Sequence, residues 1–314
     1  MKGIIILPIA LGASLLVAGS VIFGLALANH TNDESVTNTH EITETFDKFD
    51  IKTSIANIVF EKSTDGNTKV VCEERNKQYH TVEVVSNTLT VKPVDELKWY
   101  EKIFNFDFSK KQVTIYIPEG TYSNLKIDSS TGNIKAPNNF TFASLDVEVD
   151  TGDVNINSEV SGNVKVHSHT GDITLSDMNP AALDIKASTG DFIAKDINVT
   201  GDVVVKTNTG KVKLTNFKAA SLDANTNTGK VVLNNTIING NLKVKTDTGD
   251  VFFEDCDANS IKVETDTGDV RGTFLSDKVI YAQSKTGRVN VPRLTSGGMC
   301  EIDTDTGDIT ISIK

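Results

Sequence analysis

LKVKTDTGDVFFE, residues 242–254, is followed a short distance on by IKVETDTGDVRGT, residues 261–273. In both, apolar and polar residues alternate on either side of a Thr-Gly pair. Alternation with period two marks a strand with one buried face. The Thr-Gly pair recurs from Leu125 to the end of the chain, at Gly132, Gly152, Gly171, Gly190, Gly210, Gly229, Gly249, Gly268, Gly287 and Gly307. Each spacing is 19 or 20 residues. A fixed period of this length marks a solenoid.

Counted from each Gly, positions −7, −5, +2 and +4 are mostly aliphatic, as in Leu145, Val147, Val154 and Ile156. Position −3 takes small or Thr residues such as Ala187, Thr207 and Thr246. A further apolar residue follows the Gly by seven or eight, as in Phe140, Met178, Ile197, Phe217, Ile237, Cys256, Leu275 and Leu294. Each copy therefore reads as about three short strands, one coil of a β-helix. The Gly is expected to supply a positive φ at a sharp corner, where it meets no Cβ penalty. A second rhythm of 39 residues appears in Gly162, Gly201 and Gly240, as if a two-coil unit were duplicated. Stacked in register, ten coils would rise about 43 Å. That register places Asp146, Lys165, Asp184, Val204, Asp223 and Lys243 in one outward column, where neighbouring opposite charges favour it over a slipped one.

The whole chain has 314 residues, 38% hydrophobic, 23% charged and 6% aromatic, with a net charge of −11. This is enough apolar material for a core, so wholesale disorder is excluded. The acidic balance argues against nucleic acid as a partner. Three cysteines make no disulfide framework and no metal-ligand spacing. Gly3 to Ala28 carries no charge and exceeds the roughly 20 residues that span a bilayer as helix. Residues 1–28 are thus expected to form a transmembrane anchor. Ala26-Leu27-Ala28 also reads as a signal-peptidase site, so a cleaved signal peptide stays open; either way the rest is exported. Residues 29–41 read as a tether, 42–120 as an N-terminal β cap region and 121–314 as the β-helix repeat domain. Within the cap region, Leu97 to Lys111 is rich in aromatics, including Trp99, Tyr100, Phe104, Phe106 and Phe108. It reads either as packing on the first coil or as a binding or membrane-interface loop.

The strand Ile115-Tyr116-Ile117-Pro118, the segment Leu125-Lys126-Ile127 leading into Ser130-Thr131-Gly132-Asn133-Ile134, and the later Thr-Gly-Asp copies ending in Asp305-Thr306-Gly307-Asp308-Ile309 resemble the DUF4097 family of bacterial β-strand-repeat proteins, which borders on adhesin-like domains. The resemblance covers about residues 45–314. It implies an envelope role in Gram-positive bacteria, often with a membrane anchor and a link to envelope stress. It offers no catalytic residues.

No Ser-His-Asp, zinc or phosphate-loop pattern is present. His167 and His169 point outward on one strand, in the columns of Glu148 and Asp150, a geometry that could hold a metal. Asp247, Asp250, Asp266 and Asp269 fall near one another on one corner, a set of oxygens that would suit Ca2+. The competing reading is that Asp after Gly caps turn amides. Enzymatic β-helices need long loops walling a cleft, and spacings of 19 or 20 leave no room for them.

The expected protein is therefore all-β and non-catalytic: a single-chain β-helix of about ten coils with an N-terminal β cap and one transmembrane helix. Its expected place is the cell membrane, single-pass, with the C-terminal domain extracellular. Expected partners are the membrane, through the N-terminal helix, and an envelope protein or wall component. A surface adhesin is the alternative, and a carbohydrate-active enzyme is less favoured. No cofactor other than Ca2+ is suggested. The handedness of the helix stays open. The chain ends in strand pattern at Ile309-Thr310-Ile311-Ser312-Ile313-Lys314, so the last coil is expected at the open end of the stack, available for strand addition.

Overall fold

The computed structural model describes residues 35–99 and 111–314. One strand runs up to each Thr-Gly and another runs away from it, as Ala182–Thr189 and Phe192–Asn198 do around Gly190. Stacking is parallel and in register. Leu125, Leu145, Val164, Leu183, Val203, Leu222, Leu242 and Ile261 align on successive coils. The same pairings put Asp146, Lys165, Asp184, Val204, Asp223 and Lys243 in one outward column, and Lys165 Nζ lies 3.3 Å from Asp146. The described elements are all strands, as expected of an all-β solenoid.

The interior is built from the predicted positions, with Val147, Val154, Ile156, Val244 and Val251 fully buried. Two assignments shift by one residue. In the Gly229 coil the inward residue is Thr236 rather than Ile237, and in the Gly268 coil it is Phe274, leaving Leu275 exposed. At the N-terminal end the interior is aromatic, with Phe49 packed on Phe60 and Tyr122 at 5.6 and 5.1 Å between ring centroids. The Thr residues at −3 are buried, and their hydroxyls donate to the carbonyl of the preceding corner glycine: Thr226 to Gly210, Thr246 to Gly229 and Thr265 to Gly249, at 3.2–3.3 Å. A hydroxyl without such a partner would be costly there.

Seven of the ten corner glycines, such as Gly190 with a φ of +142°, have the expected positive φ, but Gly229, Gly268 and Gly287 do not. What they share is clearance. A Cβ on Gly190 would lie 2.1 Å from the carbonyl oxygen of Gly171, and one on Gly268 would lie 2.0 Å from that of Gly249. Backbone is stacked on backbone at this corner, with no room for a side chain. The 39-residue rhythm has the same origin at another corner, where Gly162, Gly201 and Gly240 sit over the carbonyls of Ala143, Ala181 and Ala220.

The N-terminal region does more than cap. Lys48–Ile55 and Asn57–Lys62 stack in parallel on the Gly132 coil, turning at Ala56. Thr88–Asp95 and Gln112–Ile117 stack in parallel on these in turn. Two further coils thus extend the solenoid below residue 121. The period is hidden because Ala replaces Gly in one, and in the other no Thr-Gly stands between Thr88–Asp95 and Gln112–Ile117. Most of the aromatic stretch lies outside the described residues. The end is then closed by antiparallel strands: Thr68–Arg75 on Gln112–Ile117, Gln78–Val85 on Thr88–Asp95, and Ser35–Ile42 outermost on Thr68–Arg75. Residues 35–41, expected as tether, are therefore strand. The expected anchor at 1–28 lies outside the described residues. Among those described, no helix is long and apolar enough to cross a membrane.

The C-terminal end departs most from expectation. Gly298–Thr306 pairs with Val251–Thr267 on one side and with Lys278–Ser284 on the other. Ile309–Ile313 likewise lies between Val270–Phe274 and Val289–Asn290. The last coil in the chain is inserted beneath the coil that precedes it, so the terminal coil of the stack is that of Gly287. The expectation of an exposed C-terminal strand is corrected. Insertion pairs both edges of Gly298–Thr306, and at this end Lys278–Ser284 and Val289–Asn290 each pair on one edge only.

Candidate functional site

The residue after each corner glycine forms a ladder. Oδ1 of Asp153, Asp172 and Asp191 accepts the backbone N–H of Asp172, Asp191 and Lys211, at 2.7–2.9 Å. Asn57 and Asn133 start the ladder. It resumes with Asp250 to Asp269 N–H at 3.1 Å and Asp269 to Asp308 N–H at 2.7 Å. The second carboxylate oxygen meets a cation: Lys211 on Asp191 at 2.8 Å, Lys230 on Asp250 at 2.8 Å and Arg271 on Asp269 at 2.5 Å. The Asp250 carboxyl is held below its usual value, chiefly by its hydrogen bond from Lys230.

Of the proposed calcium set, Asp250 and Asp269 are thus committed to the ladder. Asp266 is exposed and Asp247 half-exposed. The four do not draw together into a cluster of ligand atoms. His167 and His169 face different carboxylates, His169 lying 3.3 Å from Asp150 and His167 Nε2 3.7 Å from Asp184 without a hydrogen bond. Burial and then the nearby lysines lower the His167 pKa.

A second ladder had no place in the sequence reading. Asp177, Asp196, Asn216, Asn235 and Asp255 all have φ between +46° and +57°. Each stands six residues after its corner glycine. Asn and Asp tolerate this left-handed conformation better than other non-Gly residues. Asn216 donates to Asp196 at 2.7 Å and Asn235 to Asn216 at 2.9 Å. The signal was legible as Asp/Asn at +6 in five successive copies.

The one group of three potential ligands among the described residues is Cys72, Glu74 and His80, all buried, with donor atoms within 4.8 Å of one another. Glu74 accepts from Asn38 at 2.6 Å, and from the N–H and Nδ1 of His80 at 2.8 and 2.9 Å. Burial pushes the Glu74 carboxyl up, but the bonds from His80 and Asn38 outweigh it and leave the pKa lowered. Burial, reinforced by Glu74, pushes the Cys72 thiol up to about 12. A thiol held protonated is a poor nucleophile.

The two ends of the core therefore differ. At the N-terminal end, Phe49, Val70, Cys72, Leu89 and Val91 are almost fully buried beneath the antiparallel strands. At the other end, Ile280 and Ala282 continue the inward columns of Cys300 and Ile302 but are only partly covered. Val289 is 42% exposed, Tyr281 62% and Met299 58%. Tyr281, Gln283, Met299, Glu301 and Asp303 line a shallow groove on this face. The terminal coil is held down by Lys278, 2% exposed, whose Nζ reaches Asp257 at 2.6 Å. Lys285 bonds Asp305 at 2.6 Å beside it. Lys278–Ser284 pairs on one edge only. This end, an unpaired strand over an incompletely covered core, is the candidate contact surface.

The family model described as Toastrack DUF4097 matches residues 46–251 and 201–314. Among solved structures, the chain is similar to a candidate adhesin from Bacteroides fragilis at 16% identity, covering 89% of this chain and 97% of that one, with a TM-score of 0.37. It is also similar to a candidate lipid-binding protein from Parabacteroides distasonis at 15% identity, covering 88% and 96%, with a TM-score of 0.42. A candidate cell adhesion protein from Clostridium sporogenes is similar at 12% identity over 90% and 100%, with a TM-score of 0.22. None of these likenesses bears on what this chain binds. No curated protein matches it.

Proposed function

This chain belongs to the Toastrack DUF4097 family, and from its two unlike ends we propose a non-catalytic binding protein of the cell envelope. In this reading residues 1–28 anchor it in the membrane, the solenoid is a rigid extracytoplasmic spacer, and the Gly287 coil is the contact surface. The observation that carries the reading is the contrast between a core closed at the end where the chain enters at Ser35 and a core left partly uncovered at the other. Solenoids need capping of their ends, and an uncovered end with an unpaired strand is a place where another strand can add. Lengths support the spacer role: two coils beyond the ten Thr-Gly coils hold the contact surface about 50 Å from the closed end.

The absence of an enzyme in this reading rests on the walls. Spacings of 19 or 20 residues leave the ten Thr-Gly coils without the loops that a glycan cleft needs. The envelope-stress link remains part of the proposal through family membership alone.

The test places a photo-crosslinking residue at Tyr281 or, on the flank, at Asn216, in the full-length protein in its native membrane. Adducts formed from position 281 and not from 216 support the reading. Adducts from the flank alone, or a protein recovered only outside the membrane fraction, overturn it.

A further inference from the structure

Building on the reading of the Gly287 coil as the contact surface, we propose that its partner is a second copy of this chain, paired end to end about a two-fold axis through Tyr281. The strand Lys278–Ser284 has one row of backbone groups paired to Gly298–Thr306 and no strand on the other row. An identical strand brought in by a two-fold axis normal to the sheet runs antiparallel and keeps its inner face inward. Centred on Tyr281, that pairing sets Ile280 against Ala282 of the other copy, Val279 against Gln283, and Tyr281 against itself. The half-covered core of each copy then meets the same core in its mate. Isologous contacts of this type require a self-complementary surface.

Charge supplies the complementarity. In this register Lys285, flanking the strand on one side, falls opposite Asp277, flanking it on the other, and the symmetry makes this pair twice. Both residues are exposed; Lys285 already bonds Asp305 of its own copy at 2.6 Å, so in the dimer it would bridge Asp305 and Asp277, and no like charges face each other along the strand. A strand shifted by one residue would send Ile280 and Ala282 to the outer face; shifts by two keep them inward but lose the Lys285–Asp277 pairing. The closed N-terminal end has no such opening, because antiparallel strands already cover its core. Anchored by their opposite ends, two copies joined in this way bridge two surfaces rather than lie side by side on one.

The experiment uses the full-length protein in detergent micelles. Sedimentation at micromolar concentration should give a concentration-dependent dimer. In Tyr281→Cys the two new thiols fall directly opposite, within the range a disulfide needs, and mild oxidation should crosslink the dimer. In Gln283→Cys the two positions are about 14 Å apart along the strands, and no crosslink should form. Asp277→Lys should weaken the dimer about two- to thirtyfold, the range for losing two exposed ion pairs. A monomer at all concentrations, or equal crosslinking of the two Cys variants, overturns the pairing. If position 281 captures a different envelope component in membranes while the purified chain stays monomeric, self-pairing fails and the contact-surface reading stands. If only the flank captures a partner, both fail.

Discussion

Substituting Gly268 by Ala isolates the reason for the corner glycines. Gly268 lies outside the left-handed region, so Ala meets no φ penalty there. Its Cβ would nevertheless sit 2.0 Å from the Gly249 oxygen and 2.5 Å from the Gly249 carbonyl carbon. Ordinary contact begins near 3.4 Å, so the two coils must part locally by more than 1 Å against a spacing of about 4.8 Å. The bonds that flank this corner, Gly249 N–H to Thr267 at 2.8 Å and Val251 N–H to Asp269 at 2.9 Å, cannot survive that movement. Two lost hydrogen bonds at about 1 kcal/mol each, with about 1–3 kcal/mol of overpacking, put the cost at about 3–5 kcal/mol. Two other glycines serve as references. Gly120→Ala meets nothing within 4 Å and has ordinary φ, so it should stay within about 0.5 kcal/mol of wild type. Gly66→Ala also meets open space but has φ of +78°, and should cost about 1–2 kcal/mol through conformation alone. Urea unfolding followed by circular dichroism, with the slope checked for constancy, ranks the three. If Gly268→Ala is no worse than Gly66→Ala, clearance is not what selects glycine at these corners.

Replacing Thr246 by Val keeps the shape but removes the hydroxyl that donates to Gly229, and should lower stability by about 0.5–1.5 kcal/mol in the same unfolding assay. Asp191→Asn keeps the acceptor for the Lys211 amide, as Asn133 does for Asp153, and should be tolerated. Asp191→Ala loses that bond and should cost about 1 kcal/mol, the exposed Lys211 pair adding little. The pKa of Glu74 is lowered on folding, so its contribution to stability is present above the ordinary glutamate value and is lost as pH falls through the lower folded value. Melting temperature plotted against pH should therefore drop on the acid side, and Glu74→Gln should flatten that part of the curve. Deleting residues 308–314 should destabilise the final coils, because Ile309–Ile313 is inserted between two others. Hydrogen exchange should then speed up at residues 270–290, and unchanged protection there would contradict the insertion.

The coils themselves were legible because each is a local pattern. Alternation around Thr-Gly fixes which side chains point inward, and the 19–20 spacing fixes which residues stack on which. That is why the column from Asp146 to Lys243 could be written down from spacing alone. The second ladder was equally local, in Asp177 to Asp255, but Asp and Asn at +6 pass for ordinary polar surface until φ is known. The two N-terminal coils were hidden for another reason. Ala56 removes the glycine signal, and in the other coil no Thr-Gly stands between Thr88–Asp95 and Gln112–Ile117. The corner aspartates were read as either ligands or amide caps. Amino-acid type alone could not choose between these, because a carboxylate serves both. The direction of Oδ1 towards the next coil's N–H is a property of stacked backbone.

By itself, the sequence determined the coil, most of its inward columns, its outward charge register and the ten Thr-Gly corners. Only the tertiary structure decided the order of the coils at the two ends and the clearance that demands glycine even where φ is ordinary. Each coil interacts chiefly with its nearest neighbours, and coils of one period offer one another the same register. Sequential and inserted orders therefore look alike in sequence. The choice falls to the connections and to which arrangement leaves the least edge and core uncovered. Here that choice places the Gly307 coil beneath the Gly287 coil and leaves Tyr281 at the open end.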